Sequence, residues 1–360
     1  MKKVGIVTFQ YDNYGTRLQN YALVVILEKL GYEVNTLYFC SSKELVKKCI
    51  KKVILFTNPN NSKKHLWEND LKKEEKFSEF VKNNLRIKKV TNKNLKKLNE
   101  QYDYFIAGSD QIWNPIHLEN HPVDKKLFFL KFASKEKRIA FAPSFGVKEI
   151  PEDRIDDYKN LLSGFEEISV REKAGQEIIE NLINIKVPIL PDPTLSLPME
   201  YWENLTKENN KKHEKEKYII AYFLSKQSLN VISEIEKYAN DNNLKVISIV
   251  GNYYDDSMEN PDPIEFISLI RNAKAVFTDS FHGCVFSIVN ETPIVVYKRT
   301  DVKQFSRIEN LLNNFNLTEA CYSEKYNISR ILKTQKSSIT KEVITNYNKQ
   351  AIEYFEKGLK

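Results

Sequence analysis

The chain has 360 residues, of which 41% are apolar, 29% charged and 12% aromatic. One hydrophobic core rarely extends over this length, so we expect two domains. Its composition excludes disordered and collagen-like proteins, and its four cysteines form no CxxC pair or zinc-ligand spacing. Without an apolar run of about 18 residues or a signal-peptide pattern, we expect a soluble, cytoplasmic protein.

The positive charge is concentrated in one segment. The net charge is +7, whereas residues 41–100 alone contain 17 Lys or Arg and 7 Asp or Glu. The rest of the chain is therefore slightly acidic and does not indicate a nucleic-acid partner. Two interpretations of residues 41–100 stay open. They form amphipathic helices with solvated lysines, or they form a patch that contacts an anionic membrane or a phosphate-bearing acceptor.

The first half of the chain predicts a parallel α/β domain. Residues 3–9 form a β-branched run, residues 17–30 a helical pattern, and residues 33–39 a second strand. This βαβ order is typical of a doubly wound parallel sheet. Further strands are predicted at 103–107, 138–142 and 167–170, which assigns residues 1–188 to the first domain.

A proline-rich segment, residues 189–198 (ILPDPTLSLP), separates the two halves and predicts an interdomain hinge, because proline disfavours continuous helix and central strand. Strands and helices then alternate again, which predicts a second α/β domain over 189–335. In the remaining segment, 336–360, a helical pattern spans 338–357. Such a helix can cross back onto the first domain.

Polar residues follow the predicted strands of the first domain, where ligands bind in open α/β sheets. Asn13, Arg17 and Gln19 lie near a glycine-containing turn into a helix, which suits an anion site or an ordinary helix start. A second cluster follows residues 103–107 and comprises Asp110, Gln111, Trp113 and Asn114. It suits a sugar ring, or an N-cap beside a core tryptophan.

Arg171 directly follows the strand predicted at 167–170. A guanidinium matches a carboxylate or phosphate with two parallel hydrogen bonds, so an anionic ligand is one interpretation. A surface ion pair with Glu172 is the other.

In the second domain, His282 and Gly283 lie at a strand-to-helix turn, residues 278–283 (TDSFHG). A histidine there can act as a general acid or base near neutral pH, or can be structural. The next strand is followed by basic residues: Lys298, Arg299, Lys303 and Arg307. No HExxH or GxSxG motif and no Asp-rich cluster is present, so we expect neither a metal nor a cofactor.

Five stretches together resemble the polysaccharide pyruvyl transferase family. They are NYGTRLQNYAL (13–23), GSDQIWNP (108–115), SVRE (169–172), DPTL (192–195) and TDSFHG (278–283). The resemblance spans residues 1 to about 317 in the family's order. It implies two Rossmann-like domains facing a cleft, as in GT-B glycosyltransferases. It also implies transfer of a pyruvyl group, as a ketal, from phosphoenolpyruvate to a sugar of a surface polysaccharide or exopolysaccharide, or of its lipid-linked or soluble precursor.

The resemblance also implies roles for individual residues. His282 matches the family's acid/base. The donor-binding residues are then Arg171, Ser280, Gly283, Arg299 and Arg307. The first domain is implied to hold the acceptor, through Asn13, Arg17, Gln19, Asp110, Gln111, Trp113 and Asn114.

One position departs from the family pattern. Members often carry arginine two residues before the histidine, where this chain has Ser280. Either Arg299 or Arg307 replaces that charge, or the donor differs. Two alternatives therefore stay open, a GT-B-type glycosyltransferase that uses a nucleotide sugar and a non-catalytic glycan-binding protein.

Overall fold

The computed structural model describes residues 1–39, 64–91, 94–120, 125–249, 258–299, 305–323, 327–335 and 339–360. The chain divides into two compact units. The first unit comprises Met1–Leu197 with Tyr347–Lys360, and the second comprises Pro198–Asn346. The division thus falls at the end of the proline-rich segment, nine residues after the predicted boundary at 188.

The first unit contains a six-stranded sheet in which every paired strand is parallel. Its strands are β1 (Lys3–Val7), β2 (Glu33–Phe39), β3 (Ile87–Val90), β4 (Tyr104–Ala107), β5 (Arg138–Ala140) and β6 (Glu167–Ile168). The spatial order is β3-β2-β1-β4-β5-β6, so the direction of winding reverses between β1 and β4. This is a doubly wound Rossmann-like arrangement.

Helices follow most of these strands. They are α1 (Tyr14–Lys29), α2 (Lys64–Asn84), α3 (Leu95–Gln101), α4 (Pro115–Asn120), α5 (Lys125–Phe128), α6 (Ile155–Leu162), α7 (Lys173–Ile183) and α8 (Pro193–Ser196). Asn13 caps α1 by accepting a hydrogen bond from the Thr16 amide at 3.3 Å. Such a cap satisfies one of the unpaired amides at a helix start.

Helix α2 is the longest described element of the lysine-rich segment, which also contains β3 and most of α3. Phe77 and Phe80 are buried, whereas Lys72 and Lys76 are exposed. This amphipathic pattern gives α2 one packed face and one solvated face. Residues 40–63, which include the lysines at 47, 48, 51 and 52, lie outside the described residues.

The second unit has a five-stranded sheet, also parallel at each pairing. Its strands are β7 (Tyr218–Tyr222), β8 (Lys245–Ile249), β9 (Met258–Glu259), β10 (Val276–Thr278) and β11 (Ile294–Val296), in the order β11-β10-β7-β8-β9. Its helices are α9 (Met199–His213), α10 (Leu229–Asp241), α11 (Pro263–Asn272), α12 (Phe281–Val289), α13 (Ser306–Asn314) and α14 (Ile328–Lys333).

The last helix, α15 (Thr340–Gly358), ends in the first unit. The Tyr354 hydroxyl donates to the Ala140 carbonyl at 2.7 Å, and the Phe355 ring stacks on Phe141 at 4.6 Å. The end of the chain therefore completes the core of the first unit. Within the described ranges, no helix is long and apolar enough to cross a membrane.

Both units confirm the predicted class, α/β with two Rossmann-like domains as in GT-B-like proteins. The sequence analysis did not predict β3 or β9. Strand β3 is four residues long and includes Lys88 and Lys89, both exposed, so it lacks the apolar run by which buried strands are recognised. Strand β9 spans two residues.

Candidate functional site

The two sheets each reverse their winding at one point, and polar residues collect there in both units. In the first unit the reversal lies between β1 and β4, and in the second between β7 and β10. Ligands of open parallel sheets bind outside the carboxyl ends of the strands at such points, because the loops diverge and leave a crevice.

Arg17 organises the loop that follows β1. Its guanidinium donates to the Gln10 side chain at 2.8 Å, to the Gln10 carbonyl at 2.9 Å and to the Asp12 carboxylate at 2.9 Å. The Arg17 side chain is only 9% exposed. Its three bonds hold the loop in place, so in this structure Arg17 shapes the site from within rather than presenting its charge at the surface.

The loop after β4 is held in a strained conformation. Asp110 has φ of +81°, which is uncommon for a residue other than glycine. Its carboxylate accepts hydrogen bonds from the Thr16 hydroxyl and from the Gln111 amide, each at 2.8 Å. Strain of this kind persists where the surroundings enforce it, often at functional sites. Asp110 and Gln111 both keep part of their surface exposed.

Gly146 allows this loop to pack closely. At its φ of +62° a side chain would be strained, and an added Cβ would lie 2.5 Å from the Gln111 Oε1 and 2.6 Å from the Asn114 Nδ2. A larger residue here would therefore combine backbone strain with displacement of these two side-chain amides.

Three of the predicted acceptor residues are structural in this conformation. Trp113 is fully buried, stacks on Phe129 at 5.1 Å and donates from its indole to the Phe128 carbonyl. Its ring cannot lie against a sugar, because both faces belong to the core. This corrects the sugar-stacking interpretation and supports the core tryptophan. Gln19 and Asn114 are also buried, with hydrogen bonds to Thr8 and Gln111.

Arg171 forms a buried ion pair with Asp192, which excludes the surface pair with Glu172 that was one of its two interpretations. The Arg171 Nη2 lies 2.7 Å from the Asp192 carboxylate, and the side chains are 4% and 0% exposed. Arg171 also donates to the Ser109 hydroxyl. Asp192 in addition accepts from the amide and hydroxyl of Thr194, at the start of α8. Three of the five sequence stretches therefore meet in one buried polar network. Donor binding by Arg171 stays a prediction.

Glu172 instead connects the loops after β5 and β6. Its Oε1 accepts from the Ser144 hydroxyl at 2.8 Å and from the Phe145 amide at 3.1 Å. Ser144 accepts in turn from the Gly146 amide. Ser144 is thus a bridging residue of the loop rather than a nucleophile with an adjacent base.

Lys73 lies near the loop after β1, a position that the sequence analysis did not predict. Its Nζ lies 6.0 Å from the centre of the Tyr14 ring and 5.7 Å from that of Phe77. Burial lowers the pKa of Lys73, an effect that the nearby carboxylates of Asp12 and Asp70 oppose. Among the many lysines of residues 41–100, nothing in the local pattern distinguishes this one. Its position depends on how α2 packs beside α1.

In the second unit, Asp279 fixes the turn after β10. Its carboxylate accepts from the Leu224 amide at 2.6 Å, from the Ser225 amide at 3.0 Å and from the Ser225 hydroxyl. The turn after β10 is therefore bonded to the loop after β7, across the point where the sheet reverses. Asp279 is almost completely buried and satisfied.

Ser280 and Gly283, predicted to bind the donor, have structural roles in this conformation. The Ser280 hydroxyl caps α12 by accepting from the Gly283 amide at 3.3 Å, and the residue is buried. An added Cβ on Gly283 would lie 2.5 Å from the Thr278 hydroxyl, so glycine is needed for packing. Between them in sequence, Phe281 and His282 are partly exposed.

His282 and Arg307 both contact the ring of Phe281. The imidazole and the phenyl ring are 5.2 Å apart at near-perpendicular orientation, and the Arg307 guanidinium lies 5.7 Å from the ring centre. All three residues are partly exposed. Burial raises the pKa of the Tyr222 phenol, and the charge of nearby Arg299 opposes this shift weakly. The structure thus brings His282 and two of the predicted cations to one end of the sheet.

Two pockets in the second unit are lined by other residues. One of about 260 Å³ lies near Thr318 and Arg330, and one of about 420 Å³ lies between Tyr238 and Tyr322. Neither is lined by a candidate residue. In the described part of the chain, no group of three or more His, Cys, Asp or Glu side chains is placed to hold a metal ion.

Solved structures share this fold at low sequence identity. A UDP-GlcNAc 2-epimerase from Methanocaldococcus jannaschii is 12% identical, with a TM-score of 0.54 over 97% of this chain and 98% of that chain. The MnaA–UDP co-structure from S. aureus is 11% identical, with a TM-score of 0.51 over 98% and 91%. At such identities the likeness extends to the fold alone.

No curated protein matches the sequence significantly. The model of the polysaccharide pyruvyl transferase family, however, matches residues 13–300, which include the switch point of the second unit, the Arg171–Asp192 pair and His282. With four-fifths of its length matched, this chain belongs to the polysaccharide pyruvyl transferase family.

Proposed function

We propose that this protein transfers a pyruvyl group from phosphoenolpyruvate to two hydroxyls of a sugar, forming a ketal and releasing phosphate. The sugar belongs to a surface polysaccharide or exopolysaccharide or to its precursor. Family membership supports a transferase of polysaccharide biosynthesis. The grouping of His282 with Arg307 around Phe281, where the second sheet reverses, is the observation that carries the proposed donor site.

The donor chemistry suits these side chains. Phosphoenolpyruvate carries a carboxylate and a phosphate, which a guanidinium can bind through two hydrogen bonds. Arg307 lies over the Phe281 ring at the start of α12, and Arg299 lies near Tyr222 at the end of β7. In this proposal they supply the charge that Ser280 lacks.

His282 is proposed to move the proton. Its protonated imidazole donates to the methylene carbon of phosphoenolpyruvate, which leaves positive charge on the adjacent carbon. The first sugar hydroxyl bonds to that carbon and returns its proton to the imidazole. The second hydroxyl replaces the phosphate, which departs with the second proton. General acid–base transfer of this kind is commonly performed by histidine near neutral pH.

The acceptor is proposed to lie at the switch point of the first unit. Asn13, Asp110 and Gln111 keep part of their surface exposed there, beside Asp12. These groups accept and donate hydrogen bonds, as sugar hydroxyls require. Arg17, Gln19 and Asn114 then support the site from beneath.

Ligand-dependent stabilisation tests this proposal against its alternatives. Phosphoenolpyruvate should raise the thermal midpoint, and it should yield phosphate and a pyruvylated product with a suitable saccharide. Stabilisation by UDP-sugars but not by phosphoenolpyruvate would identify a glycosyltransferase instead. Stabilisation by saccharide alone, without any product, would identify a glycan-binding protein.

A lipid-linked acceptor and a peripheral contact with an anionic membrane are further parts of the proposal. The exposed lysines of α2, such as Lys72 and Lys76, are compatible with such a surface. Electrostatic attraction to anionic lipid decays within about 10 Å at 0.1 M salt. Sedimentation with phosphatidylserine vesicles at low and high salt tests it, and no binding at low salt would leave these lysines as a solvated helix face.

A further inference from the structure

An exposed aromatic ring lies at the switch point of the first unit. Tyr11 lies in the loop after β1, four residues beyond the end of the strand, and is 38% exposed. Among the Phe, Trp and Tyr side chains of the described residues, Tyr11 alone falls in the exposed class. An exposed ring at the carboxyl end of a central parallel strand lies where such sheets bind ligands.

The ring rests on an aromatic support. Tyr11 lies 5.1 Å from Phe9, which is buried and contacts Phe128 edge-on at 5.1 Å. The imidazole of His117 lies 6.0 Å from the same Phe9 ring. Edge-to-face contacts at these distances stabilise the pairs beyond simple burial. The Phe9 ring is thus anchored in the core, whereas the Tyr11 ring that contacts it is partly exposed to solvent.

Both neighbours of Tyr11 are held by one buried guanidinium. Arg17 donates two hydrogen bonds to Gln10 and one to Asp12, so it grips the chain on either side of the tyrosine. The Arg17 side chain is nine-tenths buried. A loop fixed in this way loses little conformational freedom when a ligand arrives, which favours binding.

Resting on the proposed function, we propose that Tyr11 is the stacking platform for the acceptor sugar, with Arg17 as its positioning residue. The apolar C–H face of a pyranose ring covers an exposed aromatic face, while its hydroxyls need acceptors close by. The Asp12 carboxylate adjoins Tyr11 in sequence and is 30% exposed. This is the role that the buried Trp113 cannot fill.

Direct saccharide binding tests the platform without requiring turnover. Saturation-transfer difference NMR would use methyl β-glycosides of glucose, galactose and N-acetylglucosamine as probes. We expect the wild type and Tyr11→Phe to bind at least one glycoside, and Tyr11→Ala to lose about three- to tenfold in affinity. Leu229→Ala, which removes an exposed apolar side chain of the second unit, is the control and should bind as the wild type does.

Steady-state kinetics test the positioning role of Arg17. Arg17→Lys keeps the charge but loses the forked geometry, so the acceptor KM should rise while the phosphoenolpyruvate KM stays near its wild-type value. Equal glycoside affinity for Tyr11→Ala and the wild type, or no binding by the wild type, would overturn the platform. Tyr11-dependent binding without any pyruvylated product would overturn the proposed function and leave the platform standing.

Discussion

His282 and His213, the two described histidines of the second unit, have different neighbours. His282 lies against Phe281 with a guanidinium on the same ring, whereas His213 lies at the end of α9, 3.3 Å from Glu216. We predict that His282→Ala lowers pyruvyl transfer by about two to four orders of magnitude. His213→Ala is the matched control and should retain turnover. A folded His282→Ala variant with near-normal phosphate release would remove His282 from catalysis.

Arg171 and Asp192 are charged groups taken almost entirely out of water. Removing one charge leaves its partner buried without compensation, which typically costs about 3–5 kcal/mol. Asp192→Asn keeps a side-chain oxygen for the Thr194 amide but loses the negative charge. We predict a large fall in the urea midpoint for this variant.

An exposed ion pair on α10 is the matched control for the buried Arg171–Asp192 pair. Asp241 pairs with Lys237 at 2.8 Å on the surface of α10, with both side chains more than half exposed. Surface pairs contribute about 0–1 kcal/mol, so Asp241→Asn should barely move the urea midpoint. Similar small shifts for both variants would show that the Arg171–Asp192 pair does not hold the loops together.

Two glycines with positive φ separate the effects of strain and of crowding in loops. An added Cβ on Gly31 meets nothing within 4 Å, whereas on Gly146 it meets Gln111 and Asn114. A left-handed backbone conformation costs a residue other than glycine about 1–2 kcal/mol, and both alanine variants carry this cost. The free energy of unfolding should fall by at least about 1 kcal/mol more in Gly146→Ala than in Gly31→Ala, because adding atoms to a packed loop forces its side chains to move.

The same pair of variants also reports on function. Gly146→Ala should raise the acceptor KM, since its Cβ displaces Gln111 at the candidate site, while Gly31→Ala should not. Acceptor kinetics and denaturant unfolding of both variants measure this. An equal decrease in unfolding free energy for Gly31→Ala and Gly146→Ala would show that the 109–114 loop moves to accommodate the added Cβ at no measurable cost.

Most strands and helices were predictable because their signals are local. The β-branched run at β1, the cap at Asn13 and the apolar run of β7 depend on neighbouring residues only. The burial of Trp113 was not predictable, since it depends on Phe129 and Phe145 arriving from other segments. Likewise, the sequence placed Arg171 beside Glu172, but its partner, Asp192, comes from 21 residues further along the chain.

At the scale of the whole molecule, the sequence predicted two α/β halves but not the spatial order of their strands. That order decides where each sheet reverses, and so which loops meet. The family resemblance indicated the right segments, because residues 108–115, 169–172 and 192–195 meet in one network through Ser109, Arg171 and Asp192. The position of Lys73 near Tyr14 depends on how α2 packs against α1, and no short sequence motif predicts such packing.

If each unit binds one ligand, the donor and the acceptor should protect different segments of the intact protein from hydrogen exchange. Phosphoenolpyruvate should slow amide hydrogen exchange in peptides that cover residues 279–284, near His282. An acceptor saccharide should slow it in peptides that cover residues 10–13 and 109–114. Bound ligands stabilise the structure they contact, and exchange reports that stability segment by segment.

The comparison needs each ligand added alone at saturating concentration, with inorganic sulfate as an ionic control for the donor. Protection by phosphoenolpyruvate but not sulfate near 279–284 is expected, because the carboxylate adds a second anionic group for Arg299 or Arg307 to bind. If the donor instead protected residues 10–13 and the saccharide protected 279–284, the roles of the two units would be reversed. His282 would then face the acceptor hydroxyls, with the guanidinium groups around it left to bind a charged group of the glycan.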